Sequence, residues 1–561
     1  MLEKSPAPRA GLFFVPPAAA IPATKTGFPR SVLIFRFPSG ILSFMRFRFV
    51  FCRCLLPGLA VLLLAWPATA QSHPVLPPGP RFVRDSLAAY VQRGLRLWNI
   101  PGLAVVVVKD GQVAVAQGFG VRAVGQPEPV DANTLFMIAS NSKLFTGTAL
   151  AQLEEEKRLN LNDPVRKYLP DYRLYDSSST RLVSIRDLLG HHLGTKTFQG
   201  DFTFWDSDLS RAEIVAKMRT LKPVHPFRQT YGYCNSGFLA AGQIIPVVTG
   251  KPWEDWVQQR LLTPLGMAHT YPFTAGYAQR PNIARPYSNA FGPLVPLPFD
   301  HIDNLAPAAG LVSCAGDLAH WLRFQLDSGR YDGQQVVPWA TLLRTREPNT
   351  AVSSSKSPIL PSHFSVYGLG VFAGDYNGRQ VYWHTGGANG FVTNVCFVPE
   401  ESLGIAVLTN QDNQSFFEAL RYQLLDAYLG VPYVDRSWQL YAFARPGREE
   451  AQRNVADLAA RVQRNNRPAR DLRAYAGTYR NSVYGTVTVE ARRRQLLVHF
   501  SHHPALIATL DYMDGEQFRT TYSNPAFGIF PALFGAEGAG VKTLELRVNP
   551  FLEQDSYVFS R

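Results

Sequence analysis

Residues 136–156, FMIASNSKLFTGTALAQLEEE, change their period in the middle. Before Ser140 the chain is a short apolar, strand-like run; after it Leu144, Leu150 and Leu153 fall on one helical stripe. The helix therefore starts at Ser140, and the three-residue offset puts the Ser140 hydroxyl and the Lys143 amine on the same face. A serine hydroxyl is a poor nucleophile until a base takes its proton, and a desolvated lysine can lose its charge and serve as that base. The helix N-terminus also turns backbone N–H groups toward negative charge developing near Ser140. Ser-x-x-Lys alone is a frequent accident, so the rest of the chain decides its meaning.

Working outward, Phe82–Trp98 reads as one amphipathic helix, and Leu103–Val108, Lys109-Asp110-Gly111 and Val113–Gln117 as a β-hairpin with an Asp-Gly turn. Residues 160–340 alternate short helical patterns with Pro/Gly-rich loops. Strand-like runs return at Gln380–Trp383, Val392–Val398 and Leu403–Leu408, followed by a helix over Ser415–Leu429. This order predicts an α/β (α+β) fold: an antiparallel sheet flanked by helices, its strands drawn from both ends of the sequence around an all-helical middle subdomain. A small C-terminal antiparallel β domain, sandwich or barrel, is expected over 471–561, where apolar and polar residues alternate between turn residues.

Two further motifs follow Ser140 and Lys143 in order. Tyr233-Cys234-Asn235 offers a phenol that can share a proton near a cationic lysine, and an amide that can hydrogen-bond substrate; by itself it reads equally as packing and an Asx turn before a helix over Gly237–Val247. His384-Thr385-Gly386-Gly387 sits beside the strand Gln380–Trp383. Its glycines would let a substrate backbone approach the strand edge, a bare N–H can face an oxyanion, and His384 would place a donor or partial charge at the mouth of the site. By itself it is a Gly-rich turn with a surface histidine.

Taken together, Ser140-x-x-Lys143, Tyr233-x-Asn235 and His384-Thr385-Gly386 resemble the motif set of the serine β-lactamases and penicillin-binding proteins, in the class C-like branch with D-aminopeptidases, DD-carboxypeptidases and carboxylesterases. Ile185-Arg-Asp-Leu-Leu-Gly-His191, Pro264-Leu-Gly-Met267 and Ala309-Gly310-Leu311 agree with it. The resemblance implies covalent acyl transfer with Ser140, Lys143 and Tyr233 catalytic. Lys143 and Tyr233 would share the base and acid roles, the order of proton transfer being left open. It further implies an oxyanion hole from the N–H groups of Ser140 and Gly387, and Asn235, His384, Thr385 and Gly386 as substrate-binding residues. The implied substrate is a small molecule or peptide: a D-amino-acid peptide, a β-lactam or a small ester. His384 stands where dedicated lactamases of this branch carry lysine, and an imidazole anchors a carboxylate less firmly than a fixed ammonium. The alternative is a catalytically weak penicillin-recognising sensor on the same fold. No Gly-x-Ser-x-Gly occurs, which argues against an α/β-hydrolase.

The ends of the chain carry the charge and the address. Eight Lys or Arg against Glu3 within residues 1–70 supply +7 of the net +13, so the basicity is no nucleic-acid footprint. From Met45 a charged segment, an apolar run of about 13 residues and Ala68-Thr69-Ala70 read as a signal peptide cleaved after Ala70. That run is short of the roughly 20 residues a membrane span needs, so no stable span is expected after cleavage. The expected protein is periplasmic or secreted. Its expected divisions are a leader and signal over 1–70, the hydrolase domain over 71–435, a helical linker over 436–470 and the β domain over 471–561. Cys234, Cys314 and Cys396 read as buried free thiols; with no Cys/His spacing of a zinc site, neither metal nor cofactor is expected.

Overall fold

The computed structural model describes residues 80–468, 470–538 and 540–561. The expected leader and signal sequence lie outside them. Among the described residues no helix is long and apolar enough to cross a membrane.

An eight-stranded antiparallel sheet organises the larger part of the chain. Its strands run Gln112–Gly120, Gly102–Lys109, Leu403–Thr409, Phe391–Val398, Arg379–Ala388, Phe372–Tyr376, Ser365–Tyr367 and Thr350–Ser353. Both ends of the sequence therefore meet at its centre, with Leu103 opposite Thr409 and Val392 opposite Thr409. The Gly102–Lys109 strand is apolar throughout because both faces of the sheet are covered. Val105 and Val107 pack with Tyr90, Phe416 and Leu420, while Val106 and Val108 join Phe145, Leu150 and Trp321 on the other side.

The first helix departs from its expected span. It divides into Pro80–Asp85 and Leu87–Trp98 at Ser86, whose backbone leaves the helical region, and the break sets Phe82 edge-on to Tyr90. A periodic stripe cannot register one non-helical residue that preserves the buried face. The middle is mainly helical but not wholly so: Phe136–Met137 pairs with Val312–Ser313, and two more short hairpins interrupt the helices.

The helix Arg436–Gln463, capped by the Asp435 carboxylate on Trp438 N, leads to the C-terminal domain. There eight strands between Gly477 and Ser560 close into a barrel through Arg480 opposite Ser560. Closure leaves no open sheet edge. Tyr475, Tyr479, Phe518 and Phe534 fill the interior with mutually tilted rings.

Candidate active site

Ser140 lies in a one-turn 3-10 helix, Ala139–Asn141, that feeds the α-helix Ser142–Glu155. Ala139 holds a φ of 45°, a left-handed conformation that costs a non-glycine residue on the order of 1 kcal/mol. Ser142 secures this turn, donating to Ala139 O at 2.6 Å and accepting from Leu311 N at 2.9 Å.

Lys143 is fully buried one turn on. Its Nζ lies 2.6 Å from Asn235 Oδ1, 2.9 Å from Ala308 O and 3.0 Å from Ser140 Oγ. Burial drives its pKa well below the ordinary lysine value, against an opposing pull from Asp201. The three partners are not equivalent. Asn235 Oδ1 and Ala308 O can only accept, whereas a hydroxyl can also donate. A neutral amine can therefore give its two N–H groups to the carbonyls and turn its lone pair to Ser140.

Tyr233 is buried and hydrogen-bonded to the Ser140 hydroxyl, with Lys143 Nζ 4.7 Å from its ring centre. Burial raises the phenol's pKa against the opposing hydrogen bond to Ser140, so the group stays protonated. Cys234, between Tyr233 and Asn235, donates its backbone N–H to His191 Nδ1 at 2.9 Å, and the His191 ring lies 4.3 Å from that of Tyr233.

Asn235 also differs from its expected place. Its Oδ1 accepts from Lys143 and its Nδ2 donates to Asp201 Oδ2 at 2.6 Å, and the residue is 5% exposed. The amide is spent first on orienting Lys143 rather than on substrate. Asp201 is itself buried, its pKa raised by burial and by the charge of Glu553.

The strand Arg379–Ala388 passes directly over the nucleophile turn. Its pairing with Phe372–Tyr376 stops at Trp383, while pairing with Phe391–Val398 continues to Ala388. Beyond Trp383 one edge thus runs past the end of its neighbour strand. Side chains alternate: His384 and Gly386 face inward, Thr385 and Gly387 the other way, partly exposed. A Cβ on Gly386 would stand 2.0 Å from Ile138 O and 2.8 Å from Asn141 Nδ2. Gly386 is therefore needed for the close approach of strand to nucleophile turn, not of substrate to strand.

His384 is not at the mouth. It is fully buried, with Nε2 3.0 Å from the Tyr367 hydroxyl and Nδ1 2.7 Å from Thr385 O. A carbonyl only accepts, so Nδ1 carries the proton and Nε2 accepts from Tyr367. Burial and the Lys143 charge lower its pKa to about 3, leaving it neutral. It braces the strand and supplies no cation to a substrate carboxylate.

Ser140, Lys143, Tyr233 and Asn235 are thus brought together, beneath the strand that carries Thr385, Gly386 and Gly387. Sequence reasoning missed Asp201, His191, Tyr367 and Ala308. Two had a signal: His191 closes the Leu188-Leu189-Gly190-His191 segment, and Ala308 precedes Ala309-Gly310-Leu311. Asp201 and Tyr367 lie in stretches without a pattern.

His269, Cys314 and Asp317 have ligand atoms within 4.8 Å of one another, a juxtaposition their spacing did not predict. Their bonds are those of a helix start: Cys314 Sγ accepts from Asp317 N, and Asp317 accepts from His269 N and Thr270 Oγ1. The Cys314 thiol, pushed up to about 12 by burial, stays protonated. Cys234, Cys314 and Cys396 are all buried free thiols.

A family model described as Beta-lactamase matches residues 87–429, and one described as a domain of unknown function (DUF3471) matches residues 462–554. The chain is 25% identical over 499 residues to Unguisins hydrolase ungD of Aspergillus violaceofuscus, spanning 80% of this chain and 85% of that protein. It is 27% identical over 347 residues to Protein flp of Staphylococcus aureus, spanning 60% of this chain and 65% of flp. Among solved structures, the octameric penicillin-binding protein homologue from Pyrococcus abyssi has the same fold. It matches with a TM-score of 0.52 at 22% identity, over 84% of this chain and 99% of that one.

Proposed function

The chain belongs to the beta-lactamase family, and from that premise we propose that it is an exported serine hydrolase that opens an amide or ester through an acyl-enzyme on Ser140. The observation that carries this reading is the buried Lys143 amine, its third hydrogen-bond direction aimed at Ser140 Oγ 3.0 Å away.

In the proposed cycle the Ser140 proton passes to neutral Lys143 as Oγ attacks the substrate carbonyl. The N–H groups of Ser140 and Gly387 hold the oxyanion. Tyr233, protonated and bonded to Ser140, hands a proton to the leaving group as the tetrahedral adduct collapses, and is restored from Lys143. Water then releases the acyl group by the reverse route. The neutral, buried His384 offers no fixed cation to a substrate carboxylate, which favours D-amino-acid amides, peptides and small esters over penicillins. The similarity to a protein named as a hydrolase of unguisins supports hydrolysis as the reaction class.

Export rests on the segment ending Ala68-Thr69-Ala70, and a mature N-terminus at Gln71 is the result expected from N-terminal sequencing. For the chemistry, a panel of p-nitrophenyl acetate, D-alanyl p-nitroanilide and nitrocefin is the test. The ester and the D-alanyl amide are expected to turn over faster than nitrocefin, and Ser140→Ala to abolish all activity. Turnover that survives Ser140→Ala would overturn the reading.

A further inference from the structure

The barrel meets the hydrolase site at Gly387, and the contact explains a glycine the chemistry alone does not. A Cβ on Gly387 would stand 2.8 Å from Phe551 Cζ and 2.9 Å from Cε2. The Phe551 ring therefore lies against the bare backbone of Gly387, on the strand face that also carries Thr385. The ring is partly buried and packs against both apolar cores of the molecule.

The loop that carries Phe551 is pinned on both sides. Asn549 Oδ1 accepts from Phe551 N at 3.1 Å, and Asn549 Nδ2 donates to Ala526 O at 3.0 Å. Leu552 is fully buried. Glu553, 1% exposed, accepts from Gly200 N at 2.8 Å and Phe202 N at 2.9 Å, and bonds the Tyr484 hydroxyl. Those two N–H groups flank Asp201, which orients Asn235. The aromatic ring is thus a preorganised wall rather than the tip of a loose loop.

We infer that Phe551 is a specificity-determining residue: the C-terminal barrel closes the acyl side of the cleft at Gly387 and restricts the enzyme to short acyl donors. The inference rests on the acyl-enzyme reading above. An extended acyl chain that adds to the strand edge beyond Trp383 runs along Thr385 and Gly387. A substituent on that strand face then meets the phenyl ring at Gly387. A short acyl group clears the ring; a long or aromatic one requires displacement of a side chain held by a pinned loop.

The experiment uses the full chain and p-nitrophenyl esters that differ only in the acyl group, acetate, butyrate, octanoate and phenylacetate. The wild type is expected to lose at least tenfold in kcat/KM from butyrate to octanoate. Phe551→Ala is expected to raise the octanoate-to-butyrate ratio at least tenfold, Phe551→Leu to raise it less, and Phe551→Trp to lower it. A merely structural role would scale all four esters together and leave the ratio where it was. Ratios within twofold of wild type in all three variants, with each still labelled at Ser140 by a fluorophosphonate, would overturn the inference while leaving the acyl-enzyme intact. A wild type that is not labelled would take down both.

Discussion

Asn235 offers one amide to two partners, the lysine that must lose its charge and a buried aspartate whose pKa burial raises. Asn235→Ala removes both bonds without enlarging any side chain. It is expected to slow acylation by about 100-fold with a smaller change in KM, measured as single-turnover kcat against KM. Tyr233→Phe keeps the ring packed on His191 but deletes the hydroxyl bonded to Ser140. A loss of 100-fold or more is expected, the range of general acid–base catalysis, with melting temperature little changed. Equal losses with good and poor leaving groups would contradict its role as the acid. His384 and Asn235 also mark where residue-level reading ran out. Each residue type was legible, but the direction of a side chain depends on partners such as Tyr367 and Asp201 that no local pattern announces.

At the scale of elements, the strand Arg379–Ala388 and the turn Ala139–Asn141 are held together by an absence of side chain. Gly386→Ala would push a methyl into Ile138 O and Asn141 Nδ2, both backbone-anchored neighbours. Overpacking of this kind costs about 1–3 kcal/mol. The expected result is a lower melting temperature together with a tenfold or greater loss of activity. An active, fully stable Gly386→Ala variant would show that strand and turn are not coupled. The hairpin Gly102–Gly120 and the helix Phe416–Leu429 were legible from local signals, a β-branched run closed by Asp110-Gly111 in the first case and a helical apolar pattern in the second. The break at Ser86 was not, because burial on both sides of it keeps the same stripe. Barrel against sandwich was not either, since closure rests on Arg480 meeting Ser560 from the far end of the domain.

In the whole molecule, the barrel and the hydrolase fold are joined through a buried acid. Burial raises the Glu553 carboxyl from its ordinary 4.5 to about 7, despite two backbone N–H groups and Tyr484 bonded to it. A carboxyl raised by folding favours the folded state fully below its unfolded pKa, and that contribution is lost as pH climbs through the folded value. The window for Glu553 is therefore from about 4.5 to about 7. His191, His384 and His503 are lowered by burial and act oppositely, but only below their unfolded value of 6.5. The clean comparison is wild type against Glu553→Gln, which shares those histidines. Between about pH 5 and about pH 8 the wild type is expected to lose on the order of 2 °C in melting temperature relative to the variant. A difference that stays constant across that range would place the ionisation elsewhere.

The central claim is that a neutral Lys143 takes the Ser140 proton, and the pH dependence of Ser140 acylation in a single turnover tests it most directly. Wild-type acylation is expected to rise with pH through one ionisation lying well below the ordinary lysine value of 10.5, because the protonated amine cannot accept. Lys143→Ala is expected to lose at least 1,000-fold and that limb with it, and Lys143→Arg, which keeps the charge, to restore neither. A Lys143→Ala enzyme that acylates Ser140 within tenfold of wild type, on the same pH profile, would contradict it.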